Sequence, residues 1–262
     1  MVNSNGWIES NGEPVSIGET LVQTFARDGC LTLASIFDRD LIDAARVEFE
    51  RQFDLSTNPR PQGLKVGHRR LQLPIEVRGP IADPMLAAPP LLLKIVTDLL
   101  GADPVIDSVS CVVALPDAND QHLHRDYPTF GFNGTFAVTV AIPLIDLSEA
   151  TGSTLLFPGS HLADVAPETG QRTERTIMVR GGCYLMDYAL WHQGLANHSP
   201  EPRPVLYLVF ARTWFIDDRN FRTHARINIR ESELLEMPSH QRQLFRRVAT
   251  KGEGVVKSIG AA

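Results

Sequence analysis

The chain has 262 residues, 43% of them hydrophobic, and a formal net charge of −6, values typical of a globular protein with a substantial core. The acidic balance argues against a nucleic-acid partner, because nucleic-acid-binding proteins concentrate Lys and Arg to neutralise phosphates. The chain does not open on a basic segment followed by an apolar run, and its apolar runs are far shorter than a membrane span. We therefore expect a cytoplasmic protein without a nucleic-acid or membrane partner.

Three cysteines, Cys30, Cys111 and Cys183, are widely spaced and lie in apolar runs. An odd number at such spacing does not form a disulfide framework, a zinc knuckle or a catalytic pair. The sequence predicts three reduced core cysteines.

The first hundred residues predict helices. After a polar lead-in over about 1–17, apolar residues recur at helical spacing over 19–28, about 38–53 and 90–100. Gly29 and Gly101 are typical helix ends, and Asp38 is typical of an N-cap. Residues 30–33 predict a short strand between the first two helices.

Residues 54–84 predict an irregular surface loop with a cationic cluster, Lys65, His68, Arg69 and Arg70. The alternative is a lid or a substrate-contacting segment, because long irregular segments in compact domains are often functional.

From Val105 the apolar period changes to two, which predicts strands over 105–114, 136–147, 153–157, 175–179, 183–187 and 205–215. In the first strand, Ile106, Ser108 and Ser110 are expected on one face and Val109 and Cys111 on the other. Helices followed by many short strands predict a β-barrel or sandwich supported by helices, not a parallel doubly wound sheet.

After about Arg230 a helical tail is expected, with apolar contacts from Leu234, Leu235, Leu244, Phe245 and Val248. No linker divides the chain, so one domain over 1–262 is expected: helical support over about 18–101, a barrel core over about 103–217 and a tail over about 230–250.

One short motif predicts a metal site. In a strand, His124 and Asp126 project to one face while Arg125 points away. A second imidazole would complete a two-histidine, one-carboxylate set, which leaves open positions on a non-haem Fe(II). The other histidines weighed as that ligand are His161, His192, His198, His224 and His240. His192 is preferred, because it follows a predicted strand among apolar and aromatic neighbours.

Four blocks in this order resemble the phytanoyl-CoA dioxygenase family of Fe(II)/2-oxoglutarate-dependent oxygenases: His124-x-Asp126, Gly152 to His161, Trp191-His192-x-Gly194-x-x-Asn197, and Arg203-Pro204. The resemblance spans about residues 20–220. It implies a mainly β fold with flanking helices, the double-stranded β-helix or cupin-like jelly roll. It implies His124, Asp126 and His192 as ligands of Fe(II).

The resemblance also implies a 2-oxoglutarate site. Arg203 can hold the distal carboxylate bidentately, because its guanidinium is a planar fork on a rigid strand. Its alternative role is a surface ion pair with an acid such as Glu201. Thr154 and Gln121 are expected to hydrogen-bond the cosubstrate. Some relatives carry a hydroxyl two positions after the distal histidine, where this chain has Gly194, so that contact is absent here.

The implied reaction consumes O2 and 2-oxoglutarate and releases succinate and CO2. Halogenating relatives replace the carboxylate ligand with Gly or Ala, so Asp126 predicts hydroxylation, desaturation or ring formation. The substrate is expected to be a small metabolite or natural-product intermediate, acted on by a monomer or homodimer. Residues expected to line its pocket are Gln72, Arg70, Tyr127, Phe130 and Trp214. Each of them could equally be core or rim packing.

Two other functions fit parts of the pattern. A cupin-like metal isomerase or 2-oxoglutarate-independent dioxygenase could use the same three ligands but would have no role for Arg203. A scaffold protein with an idle site would tolerate loss of His124 or Asp126.

Overall fold

A seven-stranded antiparallel sheet forms the larger layer of the fold. The computed structural model describes residues 7–10, 13–55, 64–132, 134–221, 225–248 and 255–257. The strands are β1 (Trp7–Ser10), β2 (Glu13–Ser16), β3 (Cys30–Leu33), β4 (Leu64–Gly67), β5 (Arg70–Leu73), β6 (Glu76–Val77), β7 (Val105–Ala114), β8 (Ala137–Pro143), β9 (Thr154–Leu156), β10 (Glu174–Arg175), β11 (Cys183–Asp187), β12 (His192–Gly194), β13 (Arg203–Ala211), β14 (Asn228–Arg230) and β15 (Val255–Lys257).

The helices are α1 (Ile17–Asp28), α2 (Arg39–Gln52), α3 (Pro84–Ala87), α4 (Pro90–Leu100), α5 (Glu231–Glu236) and α6 (Ser239–Leu244), with 3-10 turns at Gly79–Ala82 and Ser160–Leu162. Asp38 caps α2 by accepting a hydrogen bond from the backbone N–H of Asp40. Gly29 ends α1 at φ +70°, a conformation that L side chains rarely adopt. The three helices predicted in the first hundred residues are therefore confirmed.

The large sheet has the order β3-β11-β8-β13-β7-β5-β4, and a smaller sheet, β10-β9-β12, faces it. One face of the large sheet packs against the helices through residues such as Cys111, Cys183 and Leu206. The other face packs toward the small sheet through Tyr184, Met186 and Val205. Two sheets of a jelly roll with helices on one side confirm the predicted fold class, and the site described below lies between the sheets.

Some sequence predictions were wrong in detail. The loop predicted over 54–84 contains β4, β5 and β6, because 70–73 pairs along β7; residues 56–63 lie outside the described chain. The strand predicted over 175–179 is regular only at Glu174–Arg175, and β13 ends at Ala211, four residues earlier than predicted. Ile106 was expected on the same face of β7 as Ser108. A register shift between Val209 and Phe210 instead places Ile106 in the core between the large sheet and the helices, called the helix-side core below.

The tail is helical as expected, and it forms two short helices, α5 and α6. Leu234, Leu244, Phe245 and Val248 are buried in the helix-side core. Leu235 is 58% exposed, so its expected apolar contact is absent. All three cysteines are free and buried, as predicted. Among the described residues, no helix combines the length and apolarity needed to cross a bilayer.

Candidate metal and cosubstrate site

Two histidines meet where the chain from Gln121 to His124 runs beside β12. The N–H of His124 donates to the carbonyl of His192 at 3.0 Å, and the N–H of His192 donates back at 2.8 Å. This antiparallel bridge places the two imidazole centroids 4.3 Å apart. Two residues on from His124, Asp126 adds a carboxylate, with Oδ1 3.8 Å from His192 Nε2. The structure thus brings together the three residues that the sequence singled out.

The hydrogen bonds of the two imidazoles fix which nitrogen is free. His124 Nδ1 lies 2.8 Å from the carbonyl of His122, and His192 Nδ1 lies 3.0 Å from that of Leu190. A carbonyl only accepts, so each Nδ1 carries a proton and each Nε2 is the atom left to bind a metal. Burial lowers the pKa of His192, against the opposing effect of Asp126, and keeps that ring neutral.

The resulting donor set fits a divalent transition metal. One ligand atom from each of His124, Asp126 and His192 lies within 4.8 Å of the others. Two imidazoles and one carboxylate would leave coordination positions open on a bound ion, an arrangement typical of non-haem Fe(II). The carbonyls on Nδ1 hold both rings in orientation, as outer-shell partners of metal ligands do.

The other histidines weighed as the second imidazole lie elsewhere. His161 is buried against Gly29, with Nε2 3.3 Å from the carbonyl of Ala26. His198 and His240 are exposed, and His224 lies outside the described residues.

A cavity of about 510 Å³ opens onto the three ligands. Its volume is in the range of sites for small organic molecules. Besides the ligands, its wall includes polar and aromatic residues from the large sheet and from loops: Gln72, Ser110, Asn119, Gln121, Arg125, Tyr188, Tyr207 and Asn220. The Asn220 amide donates to the carbonyl of Asp126 at 3.0 Å and ties the loop after β13 to the metal motif.

A row of hydroxyl groups lies between the two sheets. Thr154 Oγ1 is 2.8 Å from the Tyr184 hydroxyl, which is 3.3 Å from the Tyr207 hydroxyl. Burial raises the pKa of Tyr184 and of Tyr207, so both stay neutral at physiological pH. Neutral hydroxyls can donate to an anion, and the charge of Arg203 acts on both of them.

Arg203 heads β13 and is 4% exposed. Its Nη1 donates to the carbonyls of Thr151 at 3.1 Å and Leu195 at 3.1 Å. Among the described residues no acid lies within ion-pair distance of this guanidinium, and Glu201 pairs with Arg46 instead at 3.6 Å. The alternative of a surface ion pair between Arg203 and Glu201 was therefore wrong. A buried guanidinium without an acid is suited to bind an anionic ligand.

Gly194 and Gln121 fit each other closely. The N–H of Gln121 donates to the carbonyl of Gly194 at 2.8 Å, and its side-chain amide donates to the carbonyl of Val66 at 3.0 Å. A Cβ at position 194 would lie 2.3 Å from Gln121 Oε1. The Gln121 amide therefore occupies the space beside the position where some relatives carry a hydroxyl.

Of the residues expected to contact the substrate, only some line the cavity. Gln72 lines the cavity and donates to Ser110 Oγ at 3.1 Å. Arg70 is 1% exposed, beneath the cavity wall. Tyr127, Phe130 and Trp214 lie outside the lining, in an aromatic cluster where Tyr127 and Phe130 meet edge to face at 6.1 Å. Their part in substrate binding stays a prediction.

Sequence reasoning missed Tyr184, Tyr207 and Asn220. The two tyrosines did leave a signal, because each interrupts an aliphatic strand, and a buried tyrosine hydroxyl needs a hydrogen-bond partner. Asn220 left no signal in the sequence, since its hydrogen bond to the Asp126 carbonyl depends on the path of the loop after β13.

Comparison with known proteins gives one family match. The model of the family described as Phytanoyl-CoA dioxygenase (PhyH) matches residues 25–205. Dioxygenase cnsJ of Penicillium expansum is 30% identical over 122 residues, which are 41% of this chain and 37% of cnsJ. Dioxygenase trt7 of Aspergillus terreus is 25% identical over 196 residues, 69% of this chain and 68% of trt7. The chain thus matches little more than a third of the length of cnsJ.

Solved structures share the fold. EvdMO1 superposes with a TM-score of 0.61 at 16% identity over 79% of this chain and 55% of its own. SnoK is described as a non-heme alpha ketoglutarate dependent carbocyclase from nogalamycin biosynthesis. Its TM-score is 0.60 at 18% identity, and the match covers 74% of this chain and 83% of SnoK. HygX from Streptomyces hygroscopicus was solved with nickel and 2-oxoglutarate bound. Its TM-score is 0.59 at 18% identity, and the match covers 76% of this chain and 89% of HygX.

Proposed function

Because the chain belongs to the phytanoyl-CoA dioxygenase family of Fe(II)/2-oxoglutarate-dependent oxygenases, we propose that it oxidises a small-molecule metabolite or natural-product intermediate and releases succinate and CO2. The observation that carries the proposal is the combination of the His124, Asp126 and His192 donor set with a buried Arg203 that forms no ion pair with any described acid. A metal site alone would suit many enzymes. The arginine adds the means to hold a dicarboxylate beside it.

In this proposal His124, Asp126 and His192 hold Fe(II). When bound, iron and 2-oxoglutarate supply the oxidising chemistry by coupling O2 activation to decarboxylation of the cosubstrate. The protein fixes the ligands through the Nδ1 hydrogen bonds described above. The cavity opens onto the three ligand residues, so a substrate bound there would have a C–H bond held next to the ion.

Arg203 holds the distal carboxylate of 2-oxoglutarate. Its hydrogen bonds to described residues engage only Nη1, which leaves Nε and Nη2 as donors. Thr154 and Gln121 are proposed to donate hydrogen bonds to the cosubstrate from the opposite wall. Val112 and Val209 line the cavity with apolar surface and limit water near the reacting atoms.

Asp126 occupies the position that must be vacant for a halide to bind. We therefore propose hydroxylation, desaturation or ring formation as the outcome. Ring closure has a precedent in the carbocyclase SnoK, and hygromycin B bound to HygX shows that this fold accommodates a polar small molecule. Turnover with excess chloride is expected to give no chlorinated product by mass spectrometry. Chlorinated material as the main product would contradict the role given to Asp126.

Succinate formation tests the proposed function directly. Purified protein in air with Fe(II), ascorbate and 2-oxoglutarate is expected to form succinate slowly without substrate and faster with a suitable one. His192→Ala is expected to abolish this signal, and the exposed His198→Ala provides a matched control. If the wild type binds Fe(II) but never forms succinate, the 2-oxoglutarate-independent alternative is favoured.

A further inference from the structure

Arg70 and Arg203 are placed in one row across three strands. On β7, Ala114 pairs with Arg203 of β13 on one side and with Arg70 of β5 on the other. Residues directly opposite in neighbouring strands project to the same face. Because the residue between them is only an alanine, the two long side chains can converge above it. That face is the one that carries Gln72 into the cavity, two residues along β5.

The two guanidinium groups share a hydrogen-bond acceptor. Arg70 Nη2 donates to the carbonyl of Leu195 at 2.9 Å, and Arg203 Nη1 donates to the same oxygen at 3.1 Å. These two nitrogens therefore lie no more than about 6 Å apart. Among the described residues, no acid forms an ion pair with either arginine, although Asp120 is near enough to influence Arg70.

Two like charges so placed are costly to bury. Burial first, and then the charge of Arg203, lower the pKa of Arg70 to about 10, so it remains a cation at neutral pH. Arg70 Nε is fully buried and has no hydrogen-bond partner among the described residues. The bonds that Arg70 makes with described residues use Nη2, which reaches the carbonyls of Asn119, Gly194 and Leu195. Like charges side by side are stabilised by a shared anion.

Gly194 brings Arg70 to the cosubstrate wall. His192 and Gly194 are two residues apart on β12, so position 194 faces the same side as the metal ligand. A Cβ there would lie 3.1 Å from Arg70 Nη1. The head of Arg70 thus lies beside the position at which some relatives offer a hydroxyl.

We propose that Arg70 is a second arginine for the distal carboxylate of 2-oxoglutarate, so that this chain replaces an arginine and hydroxyl pair with two arginines. This inference rests on the proposed function. It reassigns Arg70 from the substrate to the cosubstrate. It also gives Gly194 a function, since a side chain at this position would crowd the Arg70 guanidinium.

The test compares two 2-oxo acids on the anaerobic Fe(II) protein by isothermal titration. One is 2-oxoglutarate, and the other is 2-oxovalerate, which has the same carbon chain but no distal carboxylate. Arg70→Gln is expected to weaken 2-oxoglutarate binding by about 30-fold or more, the effect of removing one partner of a buried charged hydrogen bond. Binding of 2-oxovalerate is expected to change by less than about threefold. Arg69→Gln, an exposed arginine one position away, is the control and should change neither.

Arg70→Lys keeps the buried charge and is the second variant, in case the glutamine variant does not fold. It is expected to lose about tenfold in affinity for 2-oxoglutarate alone, because an ammonium lacks the planar fork. Equal losses for both acids would show that Arg70 only supports the Gly194–Leu195 main chain, and the proposal would be overturned. Unchanged 2-oxoglutarate binding would overturn it too. A wild type that binds no 2-oxoglutarate would instead refute the proposed function.

Discussion

At the scale of single residues, the site is defined by which atoms are already engaged. The carbonyls on Nδ1 of His124 and His192 leave Nε2 as the free donor, and the Asn220 amide holds the main chain at Asp126. At position 194 the absence of a side chain is what counts. Gln121 and Arg70 both lie within contact distance of a Cβ that this chain does not have.

Gly194→Ala is expected to weaken 2-oxoglutarate binding by about tenfold. The new methyl carbon would lie 2.3 Å from Gln121 Oε1 and would therefore displace the Gln121 amide. Gly194 does not have a positive φ, so alanine brings no backbone strain. In the double variant Gly194→Ala, Gln121→Ala, the loss attributable to the methyl is expected to shrink, because the clash is removed. Titration of the wild type, the two single variants and the double variant with 2-oxoglutarate measures the coupling between positions 194 and 121. A single variant that binds like the wild type would contradict this fit.

At the scale of elements, strand pairing places the arginine row and the Tyr184 and Tyr207 hydroxyls on one face of the large sheet. Local patterns in the sequence could predict α1, α2 and α4 and the strands β3, β7, β8, β9, β11 and β13, because caps and apolar periods are local signals. The segment over 70–73 was predicted as loop, since its pairing partner is some forty residues away. The shift near Val209 is likewise invisible to period counting. Such features depend on register, which a single sequence does not state.

The same limit explains which parts of the site could be predicted. His124 and Asp126 lie in one short motif, and His192 and Arg203 follow it at recognisable intervals. Tyr184, Tyr207 and Arg70 reach the site only through the register of β11, β13 and β5. Their positions are therefore a result of the structure.

The tail helices α5 and α6 offer a matched pair of leucines. Leu244 is 4% exposed in the helix-side core, whereas Leu235 is 58% exposed. Leu244→Ala is expected to lower the free energy of unfolding by about 2–5 kcal/mol through the lost burial and the cavity left behind. Leu235→Ala is expected to change it by less than about 0.5 kcal/mol. Urea denaturation compares them, and equal effects would show that the tail does not pack on the core.

At the scale of the whole molecule, the large sheet is buried on both faces, by helices on one side and by the small sheet on the other. The site lies between the sheets, where the low-dielectric surroundings strengthen contacts with an anion. The same surroundings penalise charges that have no partner. Asp187, at the end of β11, is 3% exposed, and burial raises its pKa to about 6.

This shift makes stability depend on pH. The folded protein holds the Asp187 proton more tightly than the unfolded chain, whose value is near 3.8. The contribution of Asp187 to stability is therefore expected to fall as pH rises from about 4 to about 6. Asp187→Asn can still accept from the N–H of Ala189 and is expected to exceed the wild type by about 1–3 kcal/mol at pH 8 and to match it near pH 4. Chelator-treated protein is compared by urea denaturation, with the exposed Glu236→Gln as control. An equal difference at both pH values would contradict this account.

The most direct test of the central claim is an anaerobic titration of the apoprotein with Fe(II) and then 2-oxoglutarate, followed by visible absorption. A weak metal-to-ligand charge-transfer band is expected only when both are present. It should be lost in His192→Ala, and in Arg203→Ala at the same ligand concentrations, but kept in His198→Ala. Iron binding without a band in the wild type would contradict a 2-oxoglutarate site, and absence of iron binding would contradict the metal site itself.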